Sequence, residues 1–402
     1  MINKKKKILI LTSIYPGPDI PKNFTPVVHY FVKEWIKIED LDIKVIHLPA
    51  YFHKFLYLIP NTIKDFVSSR LGFPFPKKRL SDKIDYIYEG VSVSRIPIYK
   101  NIPMSNFSGS ILKDTSEEII KMLDREHFKP DLILGHWFNP QVFISAYLKK
   151  HYDCPTIITL HEATDKYKND KQLHTVINLI DKWGYRNKKI QQNFLQNFGL
   201  KPTIHCLSGI PENFGENPPK KDFTNLKNFV FVGGLLKRKY PDVVIKALLS
   251  SYSNEEFSLE IVGDGPMKSE LKNLIDKENA NSHIIMPGRK TRQEIIPILD
   301  YSDVFVMISK DEAFGLVYIE AMARGCIVIA SKNEGMEGII NHGLNGFLCE
   351  AGNQKELESI IQMIRQLPAS TLKTISSNAI LTASELTDAK VARKYLTEIL
   401  SI

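Results

Sequence analysis

Residues 303–331 read "DVFVMISKDEAFGLVYIEAMARGCIVIAS": an apolar run, a short polar turn, a helical pattern, and a second apolar run. Runs of this length and composition suit strands buried on both faces of a parallel sheet, and the helix between them supplies the crossover that parallel pairing needs. Two carboxylates bracket the Ala-Phe-Gly-Leu turn, Glu312 before it and Glu320 inside the helix that follows. The helix start at Phe314–Leu316 presents backbone N–H groups and the positive end of the helix dipole. Gly315 lets another group approach the backbone closely, a combination suited to a phosphate. Glu320, about a turn and a half into the helix, can accept bonds from vicinal hydroxyls such as those of a ribose, and Glu312 could hold another polyol. Two glutamates at this spacing are common on solvated helices. The preceding strand, Gly315 and the small-residue run "EAMARG" set this pair apart.

The same alternation extends outward over the chain. Strand candidates before residue 213 are "KILILTSI", "DIKVIHL", "VSVSRIPI", "PDLILGHW" and "CPTIITLH"; after it come "NFVFVGG", "FSLEIVGDG", "HIIMPG", "DVFVMIS" and "CIVIAS". Amphipathic stretches such as "YPDVVIKALLSSY" and "MKSELKNLIDKEN" separate them, which predicts parallel sheets wound by helices on both faces, an α/β class. The segment Pro211–Asn225, rich in Pro, Asn, Gly and Lys, reads as a linker. Two doubly wound domains are therefore expected, 1–213 and 214–384, with a final helix near 385–402 packing back onto the first. Ligands would bind in a cleft at the carboxyl ends of the strands.

At 402 residues the chain is long for one core, and 43% apolar with 24% charged residues is an ordinary soluble mixture. Cys154, Cys206, Cys326 and Cys349 form no Cys-x-x-Cys pair, which fits a reduced, cytoplasmic chain without disulfide scaffold or zinc knuckle. The start, "MINKKKKILILTSIYP", has a basic cluster but a short apolar part ending at proline, so it reads as a first buried strand rather than a signal peptide. Formal charge is +8 overall, divided as +10 over residues 1–213 and −2 over 214–402. One half therefore faces something anionic, and with no nucleic-acid motif in view a lipid surface is the better partner. Residues 51–80 mix aromatics (Tyr51, Phe52, Phe55, Tyr57, Phe66, Phe73, Phe75) with bases (Lys54, Lys64, Arg70, Lys77, Lys78, Arg79), as an interfacial membrane element would. The alternative is that these aromatics close the first domain's own core.

The stretch "EAFGLVYIEAMARGCIVIASKNEGMEGIINHGLNGFL" resembles the signature of retaining glycosyltransferase family 4, whose members have the GT-B fold. "FVFVGGLLKRKYPDVVIKAL", "LEIVGDGPMKSEL" and "IIMPGRKTRQEIIPILDYSDVFV" stand in that family's order, and "DLILGHWFNP", "CPTIITLHEATD" and "TIHCLSGIPENF" resemble its earlier segments. The resemblance implies two Rossmann-like domains facing across a cleft. It implies metal-independent transfer of a hexosyl unit from a UDP- or GDP-linked sugar to a saccharide or lipid-linked acceptor in surface polysaccharide or glycolipid synthesis, with no cofactor beyond the donor. By similarity, Glu312 would hold the donor sugar's hydroxyls and Glu320 the ribose, while Ala313, Phe314, Gly315 and Leu316 would line sugar and diphosphate. Lys239 matches the diphosphate lysine, with Gly233, Gly234 and Gly263 nearby. His161 matches the histidine between acceptor and donor sugar. Such an arrangement would meet the diphosphate's growing negative charge with an ammonium and a helix N-terminus.

The chain departs from the family pattern at Gly234, at Tyr240 where a glycine usually follows the lysine, and after the first strand, where the usual glycine pair is missing. Gly234 stands where an arginine is usual, and Arg238 or Lys237 would have to compensate, although the two are not equivalent. His136 is a candidate acceptor contact that could equally pack beneath the cleft, and Arg289 with Lys290 could meet base or phosphates. Glu337 matches a signature glutamate of underived role. The loop "YPGPDIPKNFTPVVHYF" could shape the acceptor site. Two other readings stand beside the transferase: a nucleotide-sugar epimerase of similar fold, and a non-catalytic sugar-binding partner of a biosynthetic complex.

Overall fold

The computed structural model describes residues 5–20, 26–64, 67, 77–103, 105–252 and 255–401. They divide into two compact units, Met1–Leu207 with Asp388–Ile402, and Ser208–Thr387. Phe66, Arg70, Phe73 and Phe75 of the aromatic–basic stretch lie outside the described residues.

The first unit holds β1 (Lys6–Thr12), β2 (Leu41–His47), β3 (Ala50–Tyr51), β4 (Ile84–Tyr88), β5 (Val91–Arg95), β6 (Ile98–Tyr99), β7 (Leu132–His136), β8 (Thr156–Leu160), β9 (Lys182–Tyr185) and β10 (Thr203–His205). Eight of these form one sheet in the order β10-β9-β8-β7-β1-β2-β5-β4, while β3 and β6 pair separately. Every ladder in the large sheet is parallel except the β4–β5 hairpin, which turns at Glu89-Gly90, both at positive φ. Ile8, Leu9, Ile10 and Leu11 are 0% exposed, because β1 lies mid-sheet with helices over both faces. The final helix, Asp388–Leu400, lies in this unit: Trp35 Nε1 donates to the Ala392 carbonyl at 2.8 Å, and the Tyr395 hydroxyl meets Thr159 Oγ1 at 2.5 Å.

The second unit holds β11 (Asn228–Val232), β12 (Ser258–Val262), β13 (Ile284–Gly288), β14 (Val304–Val306), β15 (Ile327–Ser331) and β16 (Phe347–Cys349), all parallel, in the order β13-β12-β11-β14-β15-β16. In each sheet the order reverses about a first strand, β1 in one and β11 in the other. The reversal opens a crevice at the carboxyl ends, between β1 and β7 and between β11 and β14, where doubly wound sheets bind ligands.

The linker expectation needs correction. Pro211–Asn225 is not an open connection but is fastened to the second unit, where the Phe214 side chain is fully buried. The buried Arg324 guanidinium donates to the carbonyls of Phe214 (3.1 Å), Glu216 (2.7 Å) and Asn217 (3.2 Å), and pairs with Asp300 at 2.6 Å. Lys221 Nζ caps the end of the helix Arg292–Tyr301 through the carbonyls of Leu299 (2.9 Å), Asp300 (2.8 Å) and Ser302. The boundary thus falls at Leu207/Ser208 rather than after 213, and the return falls at Thr387/Asp388 rather than near 385.

Candidate functional site

The turn that opened the sequence lies at the β11/β14 crevice of the second unit. After β11, Gly233–Leu236 lead into a single 3-10 turn, Lys237–Lys239, before the helix Pro241–Ser251. After β14 the chain runs through Asp311, at φ 54°, to Gly315, at φ 83°, the N-cap of the helix Leu316–Ala323. The two loops are latched by backbone and side chain together. Lys310 N donates to the Arg238 carbonyl at 2.7 Å, and the Arg238 guanidinium returns bonds to the carbonyls of Lys310 (3.1 Å) and Asp311 (3.2 Å).

That latch brings the central pair together. Lys239 Nζ stands 3.0 Å from Glu312 Oε2, both side chains 13% exposed, and also 3.7 Å from Met307 Sδ. Arg238 lies 3.7 Å from the same carboxylate oxygen. Gly233 makes room, since a Cβ there would sit 3.4 Å from Lys239 Nζ and 3.3 Å from Met307 Sδ. Gly315 is required twice over: its φ is left-handed, and a Cβ would lie 2.5 Å from the Tyr318 ring. Tyr318 is buried beneath the turn, where its hydroxyl donates to the Met307 carbonyl at 2.7 Å and meets Ser309 Oγ at 3.1 Å. Burial first, then the Glu312 carboxylate, push the Tyr318 phenol well up, so it acts as a neutral brace.

Several expectations shift in detail. Gly263 lets the two loops close on each other: a Cβ would lie 1.9 Å from the Gly233 carbonyl oxygen. Glu320 is 3% exposed, with Oε1 on Arg292 Nε at 2.6 Å. Burial raises its carboxyl pKa and Arg292 opposes the rise. Arg289 is exposed beyond β13, and it is Arg292 that reaches the ribose-candidate glutamate. Glu337 accepts from Asn333 N at 3.1 Å and closes its own turn. Glu334, which sequence reasoning passed over, accepts from Glu312 N at 3.1 Å. Beside it, Gly335 lets the chain close onto Phe314, where a Cβ would meet the carbonyl oxygen at 2.4 Å. The small residue after Glu334 was the available signal. An Asp-x-Asp triplet, a spacing that a metal site could use, does occur at Asp40-Leu41-Asp42, but it marks the start of β2, the end of the sheet opposite the crevice.

In the first unit, the crevice is lined by the ends of β1, β7 and β8. His136, the last residue of β7, and His161, just past β8, meet through Nδ1 and Nε2 at 3.1 Å. Burial, and then the Arg186 guanidinium, push the His136 imidazole down to about 3; the same causes, with His136 added, hold His161 well below its ordinary value. Both are therefore neutral near pH 7. The loop after β1 is anchored by the fully buried Arg95 side chain, which holds Asp19 through two bonds (2.9 and 2.5 Å), and by the Tyr86 hydroxyl on the Pro16 carbonyl at 2.7 Å. In the aromatic–basic stretch, Phe52 and Lys64 are buried, but Phe55 and Leu58 are 72% and 75% exposed.

Two units, each a parallel sheet covered by helices with a crevice at the carboxyl ends of its strands, make a GT-B fold, and comparison with solved structures agrees. HepE of Anabaena in complex with UDP superposes with a TM-score of 0.70 over 98% of this chain and 100% of that one, at 18% identity. Residues 213–381, most of the second unit, match the family model described as glycosyl transferases group 1. An uncharacterized glycosyltransferase of Methanocaldococcus jannaschii is 28% identical over 58% of this chain and 65% of its own length. Alpha-monoglucosyldiacylglycerol synthase of Acholeplasma laidlawii is 32% identical over 40% of each chain. The matches thus span less than two thirds of these relatives.

Proposed function

We propose that the protein transfers a hexosyl unit, with retention of configuration and without a metal, from a nucleotide-diphosphate sugar to a saccharide or lipid-linked acceptor. The observation that carries this reading is the Lys239–Glu312 pair at 3.0 Å in the β11/β14 crevice, ahead of the Leu316–Ala323 helix start. Breaking a sugar–phosphate bond puts negative charge on the diphosphate and positive charge on the ring. Lys239 and the helix N-terminus would stabilise the first, and Glu312 would orient the sugar. Glu320, held by Arg292, would take the ribose hydroxyls. The neighbour crystallised with UDP makes a uridine donor the first to test. His161 would serve the acceptor side from the first unit.

Purified protein should release nucleoside diphosphate from one of a panel of UDP- and GDP-sugars, faster with acceptor extract present. Release should fall to background in Lys239→Ala and Glu312→Gln. Free epimerised sugar would replace this reading with the epimerase. Donor binding without any turnover would replace it with a sugar-binding partner.

A further inference from the structure

Trp137 directly follows β7, and if the chain stayed extended there His136 and Trp137 would point to opposite faces. Trp137 instead sits at φ 81°, an unfavourable conformation for a bulky side chain. The result is that both neighbours reach the same ring. His136 Nδ1 meets His161 Nε2 at 3.1 Å, and the Trp137 indole stacks on the His161 imidazole with centroids 4.3 Å apart and planes 25° from parallel. Backbone strain that persists in a folded chain points toward a role for the group it positions. Behind this pair, His136 stacks on Phe31 at 6.2 Å and packs edge-on to Tyr395 at 6.0 Å, and its Nε2 is buried without a hydrogen-bond partner. His136 is thus held on three sides, with its one polar contact directed at His161.

We propose that His136 and Trp137 form a clamp that fixes both the ring plane and the proton position of His161, leaving Nδ1 as the nitrogen His161 offers to a substrate. Two neutral imidazoles joined by one hydrogen bond share a single proton between them. His136 Nε2 is buried without a partner, so His136 avoids an orphaned N–H there by carrying its proton on Nδ1; it donates to His161 Nε2 and leaves His161 with its own proton on Nδ1. A histidine serving a sugar hydroxyl must be consistently a donor or consistently an acceptor at the facing nitrogen, and a free imidazole is neither. His136 and Trp137 are positioning residues here and touch no substrate. The inference rests on the role proposed for His161, but the clamp can be tested without donor or acceptor.

Long-range proton–nitrogen correlation spectra of the full-length protein, labelled with 15N-histidine, distinguish the two neutral tautomers. Variant His161→Gln assigns the His161 signals. In the wild type at pH 7, His161 should show the Nδ1–H tautomer in excess of about tenfold, the preference set by the cost of an orphaned buried N–H on His136. In His136→Phe the two tautomers should interconvert at comparable populations. In Trp137→Gly, which tolerates the left-handed backbone, the tautomer should persist while the His161 ring protons lose the indole ring-current shift. A mixed tautomer in the wild type overturns the clamp even if His136→Phe does not fold, and so does an unchanged ratio in a folded His136→Phe. If the spectra behave as expected but no sugar donor is turned over, the clamp stands and the transferase reading fails.

Discussion

Lys239 and Glu312 hold each other at 3.0 Å, so neither needs to travel far when a donor enters between them. If Lys239 meets charge that grows on a leaving diphosphate, its contribution is larger in the transition state than in the bound donor. Lys239→Ala should then lower kcat by about 10²–10³ with a smaller change in KM. Wild-type kcat in a folded Lys239→Ala would remove the diphosphate role and turn attention to Arg238, 3.7 Å from the same carboxylate. Glu320 should behave otherwise, because a ribose contact changes little as the sugar bond breaks. Glu320→Gln should raise donor KM more than it lowers kcat. Burial raises the Glu320 pKa and Arg292 keeps it in check, so Arg292→Ala should reproduce that KM effect at neutral pH. An unchanged KM there would mean that the ion pair serves packing alone. The buried histidines make a separate prediction. His47 and His136 are both pushed down to about 3, chiefly by burial, so the unfolded chain takes up protons below about pH 6.5 that the folded chain refuses. Stability contributed by each is therefore present above the unfolded value and declines with acidification, by about 2 kcal/mol per histidine between pH 7 and pH 5. Urea titrations of wild type and His47→Phe across that range should show the variant's curve flatter; parallel curves would contradict the assignment.

At the scale of elements, Arg324 does more than end the helix Leu316–Ala323. It is buried, paired to Asp300, and the donor for three carbonyls of the segment that follows Pro211. Arg324→Met should cost about 1–3 kcal/mol, the range for leaving buried hydrogen-bond acceptors without a donor, and should expose the chain near Asn217 to proteolysis. A conserved melting curve with unchanged cleavage would show the staple to be dispensable. This contact also explains why the segment reads as a linker. Pro, Asn, Gly and Lys report only that no helix or strand forms, and nothing local announces that a guanidinium more than a hundred residues away collects its carbonyls. The strands that sequence displays best, β1 or β15, are those buried on both faces, where every residue must be apolar. Edge strands such as β4 and β10 need only one covered face and are short or mixed, so they leave little trace. The same division holds at the site. Glu312 is legible because a turn and a glycine flag it, and Lys239 because its stretch resembles a family motif. Arg292 and Trp137 act through a distant ion pair and a single backbone angle, which no local pattern encodes.

For the molecule as a whole, charge and exposed apolar surface gather in the same part of the chain. Residues 1–213 carry +10 and the remainder −2. The short helix Phe55–Leu58 exposes Phe55 and Leu58, with Lys54 exposed beside it and Ile63 51% exposed after it. The neighbouring aromatic Phe52 is spent on the unit's own packing, and Arg79 lies over the Tyr51 ring at 5.2 Å, so the surface is narrower than the sequence suggests. No helix among the described residues is long and apolar enough to cross a membrane. Neither signal is strong alone: a few inserted side chains bind weakly, and basic charge falls off within a Debye length, but the two free energies add. Vesicles containing phosphatidylserine or phosphatidylglycerol should therefore sediment the protein, and zwitterionic vesicles should leave it in the supernatant. Raising salt from 0.1 M to 0.5 M should weaken binding, because the attraction is screened. Phe55→Ser with Leu58→Ser should weaken it by about tenfold or more at constant salt, because burying two large apolar side chains contributes independently of charge. Partition that ignores both lipid charge and this double substitution would mean the patch faces some other partner. Partition that follows lipid charge but ignores the substitution would mean the basic residues act without insertion.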